Sequence, residues 1–131
     1  MDGFIKYISF VIFMGLTMAL AQEIKSEDLL NTKWRLTNYV VGVQTLPVEK
    51  QRKKDYYIFK EDNQKEEMLY GKIVPGTWEY LPHGKFIMLY SVDKEIYVPF
   101  RIKTLSKNEL RLIIFDINTM KMVTLVYQAD R

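Results

Sequence analysis

The chain reads as all-β: an eight-stranded antiparallel up-and-down barrel, preceded by a short N-terminal helical turn. Three observations predict this. Eight stretches between Lys33 and Gln128 alternate apolar and polar residues at a period of two, the repeat that sends successive side chains to opposite faces of a sheet. Short runs of turn residues separate neighbouring stretches, which favours sequential hairpin pairing. No amphipathic segment of helix length and no long-period repeat occurs between them. Closing such a sheet removes both exposed edges. A barrel of eight strands is just wide enough for side chains or one small ligand. The same pattern also permits a two-sheet sandwich.

Each element has a local reason. Ser26-Glu27-Asp28-Leu29-Leu30-Asn31 predicts one helical turn, with Ser26 as its cap and two acidic residues at the positive end of the helix dipole. Leu29 and Leu30 supply an apolar plug for one end of a barrel. Strand one spans residues 33–44, with Trp34, Leu36 and Val40 on one face and Gly42 as a bulge. Leu46-Pro47 opens a charged loop. Strand two spans 55–61, with Tyr57 and Phe59 on one face, and Asp62-Asn63 turns the chain. Strand three spans 67–74 and stops at Pro75-Gly76. Strand four spans 76–81, with Trp78 and Tyr80 alternating against Thr77 and Glu79, and Pro82-His83-Gly84 follows as a turn. Strand five, 85–91, is apolar on both faces. Strand six, 95–105, contains Pro99, which cannot donate to a ladder and therefore marks an edge, a bulge or a gap between strands. Strands seven (109–115) and eight (120–128) complete the set.

The first residues are read as a leader and not as part of the fold. An apolar run from Tyr7 to Leu20 follows Lys6, and Ala19-Leu20-Ala21 has the small-x-small form that signal peptidases accept. The expectation is a signal peptide over residues 1–21, cleaved after Ala21, and one domain over residues 22–131 that is periplasmic or secreted. The run is shorter than the roughly 20 residues that a membrane-spanning helix needs. The chain has no cysteine, so an exported domain would be held by core burial without disulfides.

The net charge is +3, and residues 1–21 contribute one acid and one base to it. That balance suits solubility better than a polyanion partner, and nucleic acid is not expected. Lys50, Arg52, Lys53 and Lys54 form a basic cluster, followed by Glu61, Asp62, Glu66 and Glu67. These read as a solvated loop and a charged hairpin end, or as a transient contact with an anionic envelope surface.

Several short patterns together carry a family resemblance: Leu30-Asn31-Thr32-Lys33-Trp34-Arg35-Leu36, Tyr57-x-Phe59 with Asp62-Asn63 after it, Gly76-Thr77-Trp78, and Leu105-Ser106-Lys107-Asn108-Glu109-Leu110-Arg111-Leu112. Over residues 28–128 the chain resembles the small exported bacterial lipocalin-like (calycin-type) domains. In that family a Gly-x-Trp opens the first strand and the tryptophan packs across the closed end. Here Trp34 matches, and Thr32 stands where the glycine would be. The resemblance implies an eight-stranded barrel whose interior takes a small apolar molecule, although many small exported members have no known ligand.

Residues able to do chemistry are few. His83 is the only histidine and sits between Pro82 and Gly84 in a turn; with no cysteine beside it, it cannot build a zinc or copper centre alone. No EF-hand loop is present. Nucleophilic catalysis needs a base beside the nucleophile, and Ser26, Ser91 and Ser106 all lie at predicted ends or turns with no such motif around them. No two acidic residues are expected on inward faces. The expectation is therefore a protein that is not an enzyme, with no cofactor and no metal.

The aromatic content is the remaining signal. Trp34, Tyr57, Phe59, Tyr70, Trp78, Tyr80, Tyr90, Phe100 and Tyr127, with Leu36 and Leu112, are the candidate lumen lining. Large rings suit flat apolar ligands, and tyrosines add polar anchors. The same rings could equally fill a barrel this small. The functional expectation is a monomeric barrel that binds a small hydrophobic or amphipathic molecule. The alternative is a protein-interaction module, an inhibitor or an envelope-assembly component, with a filled, ligand-free barrel.

Overall fold

The computed structural model describes residues 24–130. The expected signal peptide and its cleavage after Ala21 lie outside the described residues. The described chain is an antiparallel β-barrel built from a single curled sheet, with helix confined to three short 3₁₀ turns. The sandwich alternative is thereby excluded.

Ten strands form where eight were expected: β1 (Lys33–Val41), β2 (Gln44–Pro47), β3 (Tyr56–Phe59), β4 (Lys65–Leu69), β5 (Lys72–Val74), β6 (Thr77–Leu81), β7 (Phe86–Tyr90), β8 (Tyr97–Leu105), β9 (Glu109–Asp116) and β10 (Lys121–Ala129). Two tight turns account for the surplus. Gly42-Val43 folds the end of the predicted first strand back on itself as the β1–β2 hairpin. Gly42 is no bulge. At φ +61° it takes the left-handed backbone that short hairpins favour and that glycine adopts without a steric penalty. Tyr70-Gly71, both at positive φ, likewise split the predicted third strand into β4 and β5.

The strands follow sequence order around the sheet, and β10 pairs with β1. First and last strands therefore meet. The seam lies instead between β5 and β6, where the chain passes through Pro75-Gly76 and a single bridge, Gln64 to Thr77, joins the two sides. Gly76 is required there. A Cβ on it would lie 2.1 Å from the Tyr90 carbonyl oxygen.

One end is closed and packed. A 3₁₀ turn at Ser26–Asp28 carries Leu29 into the core, and Leu30 bridges to Phe59. Ser26 lies inside this turn and makes no side-chain cap bond, contrary to expectation. The Trp34 indole N–H donates to the Leu29 carbonyl at 3.1 Å, and that of Trp78 donates to the Lys60 carbonyl at 2.9 Å. Phe59 and Trp78 rings meet at 5.0 Å. Asp62 and Asn63 turn the chain at positive φ, which short polar side chains tolerate.

Two irregularities decide which residues face inward. The β1–β10 register slips at Thr37, so Tyr39, and not Val40 as expected, packs against the core. Pro99 pairs only toward β7, since the β8–β9 ladder begins at Arg101. The gap expected at this proline is therefore present, at the end away from Trp34.

Candidate functional site

The barrel is solid at its closed end and hollow at the other. Two adjoining cavities occupy the hollow half. The inner one, about 360 Å³, is bounded by Tyr57, Lys65, Glu67, Leu69, Val74, Leu89, Val98, Phe100 and their neighbours. The outer one, about 630 Å³, opens at the mouth between Tyr39, Val41, Leu46, Phe115, Ile117 and Val123. Arg52, Ile114 and Leu125 line both and form the neck between them.

The walls follow from strand alternation. On β4, Lys65 and Glu67 face inward while Glu66 and Met68 face out; on β7, Ile87 and Leu89 face inward. The inner cavity therefore has apolar walls and one buried ion pair, Lys65 Nζ to Glu67 Oε1 at 2.5 Å. Burial, the neighbouring Tyr127 hydroxyl and Glu67 push the Tyr57 phenol well above its ordinary range. Burial also raises the Tyr127 phenol.

The neck is a second charged cluster. The segment after β2 turns Val48 into the core and Arg52 toward the lumen. Arg52 Nε donates to buried Asp55 at 2.8 Å, and its Nη1 donates to the Tyr39 hydroxyl at 3.0 Å. That hydroxyl in turn donates to Glu49 at 2.8 Å. Burial and the bond to Glu49 push Tyr39 up to about 12. Asp55 also accepts from the Tyr70 backbone N–H, and the Arg52 guanidinium lies 5.1 Å from the centre of the Tyr70 ring.

The expected aromatic lining is only partly assembled. Tyr57 and Phe100 line the inner cavity, with rings 6.3 Å apart. Trp34, Leu36, Phe59, Trp78, Leu112 and Tyr127 are buried in the packed core. Of the other three tyrosines, Tyr70 and Tyr80 lie elsewhere and Tyr90 lines the inner cavity at its edge. Tyr70 is exposed in the β4–β5 turn, because strand three folds there. Tyr80 reaches the Ile24 carbonyl at the closed end. Tyr90 borders the inner cavity but turns its hydroxyl outward to exposed Glu79, on the face opposite to Leu89.

The polar half of the site went unread in the sequence. Arg52 and Glu67, expected in solvent, line the inner cavity, and Asp55 and Glu67 are both buried where no two inward acids are expected. An available signal was the i, i+2 pairing of opposite charges at Lys65 and Glu67 in line with Leu69, the spacing of one strand face. Among the described residues, no three His, Cys, Asp or Glu side chains converge as a metal ion would need. Comparison with family models, curated proteins and solved structures gives no match to this chain.

Proposed function

We propose that the chain is an exported, lipocalin-like barrel that binds a small hydrophobic or amphipathic molecule in its hollow half. The observation that carries the reading is the pair of adjoining cavities sharing Arg52, Ile114 and Leu125. Each exceeds the roughly 300 Å³ at which ligand pockets begin, but so do surface pockets of about 430 and 470 Å³ at the closed end, and it is the shared apolar lining that supports the reading. The walls of the two adjoining cavities are mostly aliphatic and aromatic, so burying a ligand's apolar surface supplies the driving force, about 2.5 kcal/mol for each 100 Å² removed from water.

The polar groups restrict the head group. Lys65 is engaged by Glu67 and Arg52 by Asp55, so positive and negative charge in the lumen are matched. A charged head would have to break one of these buried pairs. An uncharged head that exchanges hydrogen bonds, such as an alcohol or a glyceride, would not. The reading is of binding without conversion, since these ionisable groups hold one another.

The test is native mass spectrometry on the protein expressed from its whole sequence, followed by thermal shift with long-chain alcohols, isoprenoid alcohols and monoacylglycerols, each beside its carboxylate analogue. Retained mass or a raised Tm with the neutral series is expected. No retained mass and no shift with either series would overturn the proposal.

A further inference from the structure

The two ends of the barrel differ in what their loops expose. The closed-end connections run through Lys60 to Gln64, Pro82 to Lys85 and Ser106 to Asn108, and among the described residues they expose no large apolar side chain. At the mouth, by contrast, Val43 in the β1–β2 turn, Val92 and Ile96 between β7 and β8, and Ile117 and Met120 between β9 and β10 stand 68–101% exposed. Tyr97, Phe115 and Met122, on the strand ends just below these tips, are also exposed. Antiparallel pairing brings these separate turns to one rim, around the opening of the outer cavity.

Charge is distributed to match. Lys50, Lys53, Lys54, Lys72, Lys94 and Lys121 are exposed on the segments bordering the mouth. Glu49, Asp93, Glu95 and Asp116 lie there too and keep their charge, since the bonds they accept come from neutral hydroxyls and amides, so the six lysines outnumber these acids by two. Isolated aliphatic tips with lysines behind them do not make the flat, continuous apolar core of a protein interface. They suit a lipid surface, where each tip enters the acyl boundary and the lysines stay at the headgroups.

We propose that the mouth docks on anionic lipid bilayers, its loop tips inserted and its lysines at the lipid headgroups. The placement turns the cavity opening toward the membrane, so that a lipid-derived molecule could enter without crossing water. Docking itself needs no occupied cavity and is independent of what the lumen holds.

The experiment is co-sedimentation with vesicles of phosphatidylcholine alone and of phosphatidylcholine with phosphatidylglycerol. The protein is expressed from its whole sequence, and intact mass identifies the form obtained at residues 1–21. Binding to the anionic vesicles that weakens with salt is expected. The triple variant Val43→Ser, Val92→Ser, Ile117→Ser is expected to lose at least about tenfold in partitioning, with unchanged circular dichroism and Tm. Lys50→Gln, Lys53→Gln, Lys54→Gln is expected to lose the preference for the anionic lipid, whereas Lys25→Gln at the closed end is not. Absent binding, or binding that the triple variant retains, overturns the proposal. So does a dimer in solution that the triple variant dissolves, because the mouth would then be covered by a second copy.

Discussion

Lys65 and Glu67 form an ion pair inside the barrel, two residues apart on the inward face of β4, with side chains 3% and 9% exposed. The negative charge of Glu67 also helps to hold the Tyr57 phenol above its ordinary range. Two buried charges are stable only as a unit, because desolvation of each must be offset by the other. Glu67→Gln therefore leaves an uncompensated ammonium and is expected to lower unfolding free energy by about 3–5 kcal/mol. The double replacement Lys65→Met, Glu67→Leu removes both charges and is expected to be near neutral or stabilising. Urea unfolding of the single and the double variant settles the matter. A double mutant as unstable as Glu67→Gln would refute the pairing.

Arg52 ties three segments together: its own loop, Asp55 and the β4–β5 turn at Tyr70. A lysine can replace the charge but not the planar fork that meets Asp55 and Tyr39 while covering the Tyr70 ring. Arg52→Lys is expected to cost about 1–3 kcal/mol. It should also speed hydrogen exchange at the Tyr70 amide, whose acceptor Asp55 would be less firmly held. Unchanged exchange at Tyr70 would show that Arg52 does not position Asp55.

Much of this architecture is legible in the sequence. Period-two alternation locates most strands, and Trp34 foretells the closed end. Two things escape a reading by residue type and alternation alone, for physical reasons. A bulge such as the one at Thr37 exchanges the faces of everything after it, and nothing in residues 33–41 announces it, since its cause is register against β10. Inward charges are hidden as well. Lys65 and Glu67 look solvated by residue type, and only the partner across two positions makes their burial tolerable.

The seam is the place where a small substitution should do most harm. At Gly76 the backbone has φ +153° and an added methyl would strike the Tyr90 carbonyl. Neither the carbonyl nor Gly76 can shift without disturbing the β6–β7 ladder, in which Thr77 lies opposite Tyr90 beside the seam. Gly76→Ala is expected to cost about 3 kcal/mol or more. Gly71→Ala, with nothing within 4 Å of the new atom, should cost only the left-handed backbone penalty of about 1–2 kcal/mol. Equal losses in chemical unfolding would mean that steric contact at the seam is unimportant.

Alkaline pH should unfold the protein through three phenols. Tyr39, Tyr57 and Tyr127 are all raised in the folded state, each chiefly by burial. Phenols in the unfolded chain ionise near pH ~10. Below that value both states keep their protons and stability is at its full value. Above it the unfolded state releases protons that the folded state retains, so stability falls as pH rises toward and past 12. Tyr39→Phe is expected to flatten part of this fall. A stability curve level from pH 9 to 12, or Tyr39 titrating near pH 10 in the native ultraviolet spectrum, would contradict the burial.

Filling the neck separates a hollow barrel from a solid one. Ile114 borders both cavities, whereas Leu112, two residues earlier on β9, is fully buried in the packed half. A larger side chain needs space. In a close-packed region it forces neighbours aside at about 1–3 kcal/mol, while beside a void it gains contacts instead. Leu112→Phe is therefore expected to destabilise, and Ile114→Phe to leave the urea midpoint unchanged or raise it. The same Ile114→Phe should block passage between the cavities and reduce uptake of a fluorescent apolar dye by about tenfold, since a tenfold change needs only about 1.4 kcal/mol of lost burial. Stability separates the two strand positions by packing alone, and dye uptake then reports whether the space at Ile114 is used. Equal destabilisation at both positions would mean that the neck is already full.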